Sequence, residues 1–352
     1  MKRYIAVDSG KSSTKVAELI MNGKNQDEVI EISKFRTRIG EGTFDDDNPG
    51  NNTFIMEYDG KTYKIGKNAD SDAELDTSKK TLTHKICTLY AIANICSAKE
   101  VDEVYAAIGI PVKDWENVNI RNEYRSYILP EGEISVKYKK SGDGPIVEKT
   151  FKIAGRYVYP ETLGALFIGN NINTGTVGVI DIGHLNVNQT IYNNIDVDKE
   201  YSMTDTLGGN ALVTGLAQTL SAQFGFINPK QTADILLKQN ENRCLMPKRL
   251  NEQNKDVPKK SKEVIDRFLK KHVEGILDHC KIAQWSVDYM DFIFIGGTSI
   301  ILKKEIQEVF GDDVVIPENP EYANVIGFLR IMCGKSLGRE ITTKVARKKL
   351  AA

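Results

Sequence analysis

The sequence predicts an α/β protein built from two copies of one unit, each a strand, a tight turn, a second strand and helices. Three observations carry this. "IAVDSGKSSTKVAEL" (residues 5–19) runs an apolar strand into Asp8, then small polar residues, then a second strand. "TVGVIDIGHLNVNQTIYN" (176–193) repeats the plan with Asp181 at the strand end. Asp181 follows Asp8 by 173 residues (181 − 8), and Gly183 follows Gly10 by the same 173 (183 − 10). A fixed offset of this kind marks an internal repeat.

Taken in order, residues 4–8 and 14–20 read as two strands joined by a polar turn, and 29–37 and 53–65 as further strands. "GEGTFDDDNPGNN" between them, rich in Gly and Asp, reads as loop. Residues 79–98 carry apolar side chains at helical spacing. "EVYAAIGIPV" (103–112) is a short buried strand, and 133–139 with 146–154 suggests a hairpin around "SGDG". Pro160 is expected to open a helix, "PETLGALFIGNNI", from its first turn. In the second half a long helix is expected over about 260–285. "DFIFIGGTSI" (291–300) then ends a strand in Gly, as "EVYAAIGIPV" does. The basic end, "GREITTKVARKKLAA", reads as a helix or a solvated tail.

Composition narrows the function. A chain of 352 residues suits two domains. With 27% charged and 41% hydrophobic residues it reads as an ordinary soluble protein. The 47 basic and 48 acidic residues leave no basic field for nucleic acid, so contact with DNA is expected only through a partner. The five cysteines show no C-x-x-C spacing and read as reduced thiols in a cytoplasmic protein. No apolar run approaches the roughly 20 residues of a membrane helix, and "MKRYIAVDSG" has no signal-peptide core.

The two Asp turns suggest a chemistry. Backbone N–H groups of small residues in a tight turn can cradle an anion. An Asp beside a phosphate is repulsive unless a cation lies between, and Mg²⁺ binds through one or two carboxylates, phosphate oxygens and water. Two such turns facing each other would hold one Mg²⁺-nucleotide between the halves, with Lys15 reaching the phosphates. Alone, either turn also reads as an ordinary hairpin.

The set resembles the superfamily of actin, sugar kinases and heat-shock ATPases. "DSGKSSTK" (Asp8–Lys15) resembles its first phosphate motif, "DIGHLNVN" (Asp181–Asn188) its second, and "FIGGTSIIL" (Phe294–Leu302) its adenosine motif. "TLGGNALV" (Thr206–Val213) resembles the turn and helix after the second strand pair. "YPETLGALF" resembles the connecting helix that carries the catalytic acid in bacterial actins. Length, this Pro-Glu pair and "NPEYANVIGFLRIMCG" make the plasmid-segregating actins of the ParM type the most similar group. The motifs fall in family order over nearly the whole chain.

The resemblance implies an actin-like bilobal fold, with two ribonuclease H-like domains around a nucleotide cleft, each bearing a smaller subdomain. Domain I would be 1–160 plus 336–352, with its subdomain at about 32–78. Domain II would be 161–335, with its subdomain at about 210–285. The implied reaction is hydrolysis of ATP, or of GTP, with Mg²⁺ held by Asp8 and Asp181 largely through water. Ser9, Gly10, Lys11, Ser12 and Ser13 would form the first phosphate loop, with Lys15 near the phosphates. Gly183, His184, Leu185 and Asn186 would form the second, followed by Gly208 and Gly209. Gly296, Gly297 and Thr298 would line the adenosine, with Tyr322 and Asn324 near that rim. Glu161 would orient the lytic water or act as base, alongside Asp181 and Asn188; a Glu in a first helical turn is also favoured by the helix dipole.

Two departures stand out. Asn188 occupies a place where relatives carry Asp or His, and an amide can orient water but cannot take its proton. His184 sits within the second turn, either donating to a phosphate or pointing outward. The family also implies head-to-tail filaments that form with ATP, an adaptor that binds a centromere-like site, and no membrane partner. The alternatives are a small-molecule kinase of the same superfamily and a structural actin of cell shape or division. The kinase would need a substrate-pocket Asp, and 103–130 offers only Asp114 after "GIPVK". The acidic loop Asp45–Asp47 reads either as a filament contact or as a solvated loop, and the basic tail (Lys344, Arg347, Lys348, Lys349) as a solvated end or an acidic-partner contact.

Overall fold

A computed structural model describes every residue except 22–27, 47–49, 73–77, 141–143, 169–174, 250, 342 and 349–352. Asp47, Lys349, most of the "SGDG" tip and the end of "PETLGALFIGNNI" lie outside the described residues. Contacts group the chain into Met1–Ile172 with Tyr322–Ala352, and Asn173–Glu321.

In the first unit, β1 (Lys2–Ser9) and β2 (Ser13–Ile20) form an antiparallel hairpin, and β3 (Val29–Arg36) pairs antiparallel with β2. β4 (Arg38–Glu41), β5 (Thr53–Tyr58), β6 (Lys61–Gly66) and the short β7 (Ser71–Asp72) follow, then α1 (Leu82–Ile95). β8 (Asp102–Ile110) lies parallel to β1. After α2 (Val112–Glu116) and α3 (Val118–Ile128) come β9 (Glu133–Lys139) and β10 (Val147–Pro160), and β10 is parallel to β8. The central order is therefore β3-β2-β1-β8-β10, extended through β9 by the strands β5, β6, β4 and β7.

The second unit repeats this order. β11 (Thr176–Ile182), β12 (Val187–Asn193) and β13 (Asp196–Asp205) form an antiparallel meander. Then come α4 (Gly209–Phe224), α5 (Pro229–Leu236) and α6 (Val257–Ile282). β14 (Asp291–Ile295) is parallel to β11, followed by α7 (Gly297–Ile301) and α8 (Lys303–Phe310). A parallel bridge from Ile293 to Val315 adds the fifth position. The order β13-β12-β11-β14-bridge matches β3-β2-β1-β8-β10, the ribonuclease H-like plan. The chain then returns to the first unit through α9 (Ala323–Leu337) and β15 (Lys344–Arg347).

The pattern explains the layers. Tyr4 to Ser9 are all buried because the middle of the first sheet is covered on both faces. Ile86, Leu89 and Tyr90 of α1 pack on one face, and Val325, Phe328 and Leu329 of α9 pack into the cluster on Tyr4 and Ala6. In the second unit, Ile265, Leu269, Val273, Ile276 and Cys280 of α6 recur every three or four residues, so one stripe of the helix is buried.

Three sequence expectations change. Pro160 does not open a helix but ends β10, opposite Ile110. The next N–H, of Glu161, donates to the Ile110 carbonyl at 2.8 Å, which extends the strand. Thr162 then turns at φ 78°, and only a short 3₁₀ helix, Leu163–Phe167, follows. Within the described part of the basic end, Lys344–Arg347 form β15, parallel to β3, where a helix or a solvated tail was expected. It covers a sheet edge that would otherwise offer unpaired backbone groups. Residues 322–335 group with the first unit rather than with residues 173–321, because α9 covers the face of β1 and β8.

Candidate functional site

The two turns share one geometry. Gly10 N–H lies 3.1 Å from the Asp8 carbonyl and 3.2 Å from that of Ser13; Gly183 N–H lies 3.2 Å from Asp181 and 3.0 Å from Asn186. A side chain at either glycine would press on the carbonyl three residues on, at 3.2 Å from Ser13 and 3.0 Å from Asn186. These glycine N–H groups thus close the turns themselves. Asp8 faces Lys15 across its hairpin, and Asp181 faces Asn188 across the other. Asn188 is therefore the counterpart of Lys15, a relation invisible until the registers are known.

Around the first turn most polar side chains are engaged. Ser9 Oγ lies 3.1 Å from Thr14 Oγ1, and Arg36 donates to Ser12 Oγ at 2.8 Å. Lys11 donates to the Ser78 carbonyl at 2.9 Å, and Lys15 Nζ is 3.7 Å from Asp8 Oδ2. Lys79, which the sequence reading does not single out, donates to Asp8 Oδ1 at 2.8 Å and is ion-paired with Glu161. All three of these groups are buried. Burial pushes the Asp8 carboxyl up, but the Lys79 and Lys15 ammonium groups overcome it and hold it at about 2. Burial alone would lower Lys79; Asp8 and Glu161 instead hold it well above the usual lysine value. Nearby, burial and the charges of Lys79 and Lys11 push the His84 imidazole down to about 3, so it is neutral, with Nδ1 2.7 Å from Thr81 Oγ1.

Glu161 is held by α9. Asn324 Oδ1 accepts the Thr162 N–H at 3.0 Å. Gly327 meets Gly164 so closely that a side-chain carbon on it would fall 2.0 Å from the Gly164 carbonyl oxygen. This close approach, with a β-branched residue at φ 78°, is strain that the surrounding contacts hold in place beside the candidate acid. The "Asn-x-x-Gly" of residues 324–327 thus acts on the Glu161 turn.

In the second unit the expected residues converge. Gly209 N–H donates to the Gly183 carbonyl at 2.9 Å, Asn210 N–H to that of His184 at 2.7 Å, and Thr298 Oγ1 to that of Gly183 at 3.2 Å. A side chain on Gly208 would fall 2.5 Å from the Leu185 backbone, and one on Gly296, at φ 89°, 2.4 Å from the Ile182 carbonyl. So Gly183, His184, Leu185, Asn186, Gly208, Gly209, Gly296 and Thr298 meet around one turn below Asp181. His184 is exposed at the tip, and Asn188 Oδ1 accepts from Thr204 at 2.9 Å. Gly297 starts α7, whose Ile300 lines an open cavity of about 630 Å³ together with Lys303 and Gln307.

Among the described residues no cluster of three or more His, Cys, Asp or Glu side chains forms a protein-only metal cage. Mg²⁺ does not need one, because it keeps its waters and takes one or two carboxylates. The ionised Asp8, set among lysines that suit phosphates, fits a Mg²⁺-nucleotide. Cys87, Cys96, Cys280 and Cys333 are buried free thiols pushed up to about 12, which suits inert core positions and not nucleophiles. No described helix is long and apolar enough to cross a membrane.

A duplicated ribonuclease H-like unit with an Asp hairpin in each copy defines the actin-like fold. Residues 6–164 match the family model described as the N-terminal domain of actin-like proteins. Solved structures share this fold over 92–96% of the chain. The Alp12 filament structure is 24% identical, with a TM-score of 0.69, covering 95% of this chain and 99% of that one. The archaeal actin homologue Ta0583 is 18% identical at TM-score 0.68, over 92% and 97%. Bacillus thuringiensis ParM with ATP is 15% identical at TM-score 0.67, over 96% and 99%. A search of curated protein sequences gives no match.

Proposed function

We propose that this chain is an actin-like ATPase that assembles head to tail into filaments and segregates plasmid DNA. The observation that carries the reading is the pair of superimposable Asp turns at residues 8–15 and 181–188. The Alp12 structure is of a filament, and the Bacillus thuringiensis ParM structure is with ATP, which favours this branch over a small-molecule kinase.

In this reading the two loops bind the phosphates through their backbones, with Lys15 as a point charge beside the first. Asp8 and Asp181 hold Mg²⁺, largely through water. The ion, when bound, neutralises the phosphate oxygens. Glu161, aimed by Asn324 and Lys79, orients the attacking water; Asn188 contributes only an amide, so hydrolysis is slow relative to assembly. The base lies against Gly296, Gly297 and Thr298. ATP and GTP are both accommodated by this description. Heterologous head-to-tail contacts propagate filaments, and closure of the nucleotide site favours them by population shift. The link to DNA is an adaptor bound to a centromere-like site, in keeping with the net charge of −1.

The test is right-angle light scattering with phosphate release after ATP and Mg²⁺ are added, with electron microscopy of the product. Filaments and a delayed phosphate signal are expected. Phosphate release that rises only when a small acceptor is added, without polymer, would instead favour the kinase.

A further inference from the structure

The lysine of the first site has no counterpart in the sequence motifs, yet it is buried between two carboxylates. Lys79 is 8% exposed, Asp8 5% and Glu161 8%. Its ammonium group donates to Asp8 Oδ1 at 2.8 Å and bridges to Glu161 Oε1. The residue before it is fixed to the phosphate loop, because Lys11 donates to the Ser78 carbonyl at 2.9 Å. Buried ion pairs of this kind are weak stabilisers, since desolvation offsets most of the attraction. Stability alone therefore does not account for this pair. Asp8 has two carboxylate oxygens: Lys79 holds one, and Lys15 lies 3.7 Å from the other.

We propose that Lys79 is a built-in counter-cation that competes with Mg²⁺ for Asp8 and, once displaced, stays paired with Glu161. The inference rests on the nucleotide reading above. The same group then does two things. It sets how much Mg²⁺ the nucleotide site demands, because a divalent ion at Asp8 must approach a fixed positive charge. It also positions Glu161, which keeps its ion-paired cation when Asp8 turns to the metal. A purely structural bridge would do neither. The segment bearing Lys79 leads directly into the α1 N-cap at Thr81, so the exchange acts at the entrance to a core helix.

The experiment measures ADP binding by the full chain over a series of free Mg²⁺ concentrations, by calorimetry, for the wild type, Lys79→Met and Lys79→Arg. Removing the charge should lower the Mg²⁺ concentration for half-maximal ADP binding about tenfold, as expected for deleting a neighbouring cation from a partly screened site. Lys79→Arg keeps the charge and should stay near the wild type. The melting temperature of Lys79→Met should fall in EDTA and rise more than the wild type's when Mg²⁺-ADP is added. If Lys79→Met does not fold, Lys79→Met with Glu161→Gln removes the uncompensated charge and carries the same measurement. Unchanged or greater Mg²⁺ demand in the uncharged variant overturns this inference alone. Failure of the wild type to bind ADP at any Mg²⁺ concentration overturns the nucleotide reading and this inference with it.

Discussion

The hairpins ending in Asp8 and Asp181 have the same turn and the same register, but different charge. Across from Asp8 stands Lys15, with Lys79 on its other oxygen; across from Asp181 stands the neutral Asn188. The first turn is tied to the rest of its unit by side chains, Arg36 donating to Ser12 and the turn's own Lys11 donating to the Ser78 carbonyl. The second is braced by backbone and hydroxyl donors from Gly209, Asn210 and Thr298. Duplication preserved the backbone device and let the electrostatics diverge. The first hairpin is set among cations, and the second is packed against neighbouring backbone and a hydroxyl.

The largest expected effect breaks the asymmetry at its catalytic end. Glu161→Ala should lower phosphate release about 10²–10⁴-fold, the usual worth of a positioned acid or base, while filaments still form with ATP. Unchanged release would remove Glu161 from the mechanism.

Next is acid sensitivity, expected of the first unit because of His84. Its folded pKa, about 3, lies below the ordinary 6.5. The neutral ring therefore stabilises the fold fully above about pH 6.5, and that contribution drains away as pH falls towards about 3. Its full size is about 3–5 kcal/mol. Lys79, Lys11 and Asp8 face the ring, and Asp8 adds a smaller loss in the same direction below about pH 4, as its carboxyl is held at about 2. Urea unfolding at pH 7 and pH 5 should show the drop, and His84→Gln should flatten it; parallel pH curves for the two proteins would contradict the assignment.

The hairpin comparison itself is sharpened by exchange. Lys15→Asn, which makes the first hairpin like the second, should weaken ATP binding about tenfold, a modest figure because Lys15 is partly exposed. Asn188→Lys should not weaken it. Equal losses in both would mean that the register, not the charge, matters. The smallest effect is Asn324→Ala, which leaves the Thr162 N–H without its acceptor and should cost about 1–2 kcal/mol in thermal unfolding, with turnover falling while ADP affinity holds.

Much of this was legible in the residues. The 173-residue offset predicted both hairpins, and the α6 periodicity predicted the long helix. What failed did so for physical reasons. Pro160 looked like a helix start, but it lies opposite Ile110 in a parallel ladder, and sequence alone does not reveal which strand a proline joins. "TTKVARKK" looked solvated, yet an edge strand carries charge on its open side as a tail does. Lys79 was missed because it fell at the start of the 79–98 stretch read as helix, whereas α1 begins only at Leu82. Its partners lie 71 residues before it (79 − 8) and 82 after it (161 − 79), so no local pattern could point to it. Asn324 was noticed for its motif, but its bond to the Thr162 N–H, 162 residues earlier (324 − 162), was not.

The central claim is that both Asp turns serve one nucleotide. Calorimetric titration of Mg²⁺-ATP into the wild type, Asp8→Ala and Asp181→Ala, each checked for folding by circular dichroism, tests it most directly. The account predicts tight binding by the wild type and a loss of about tenfold or more in each single variant. Binding that survives intact in either variant, or is absent from the wild type, would contradict it.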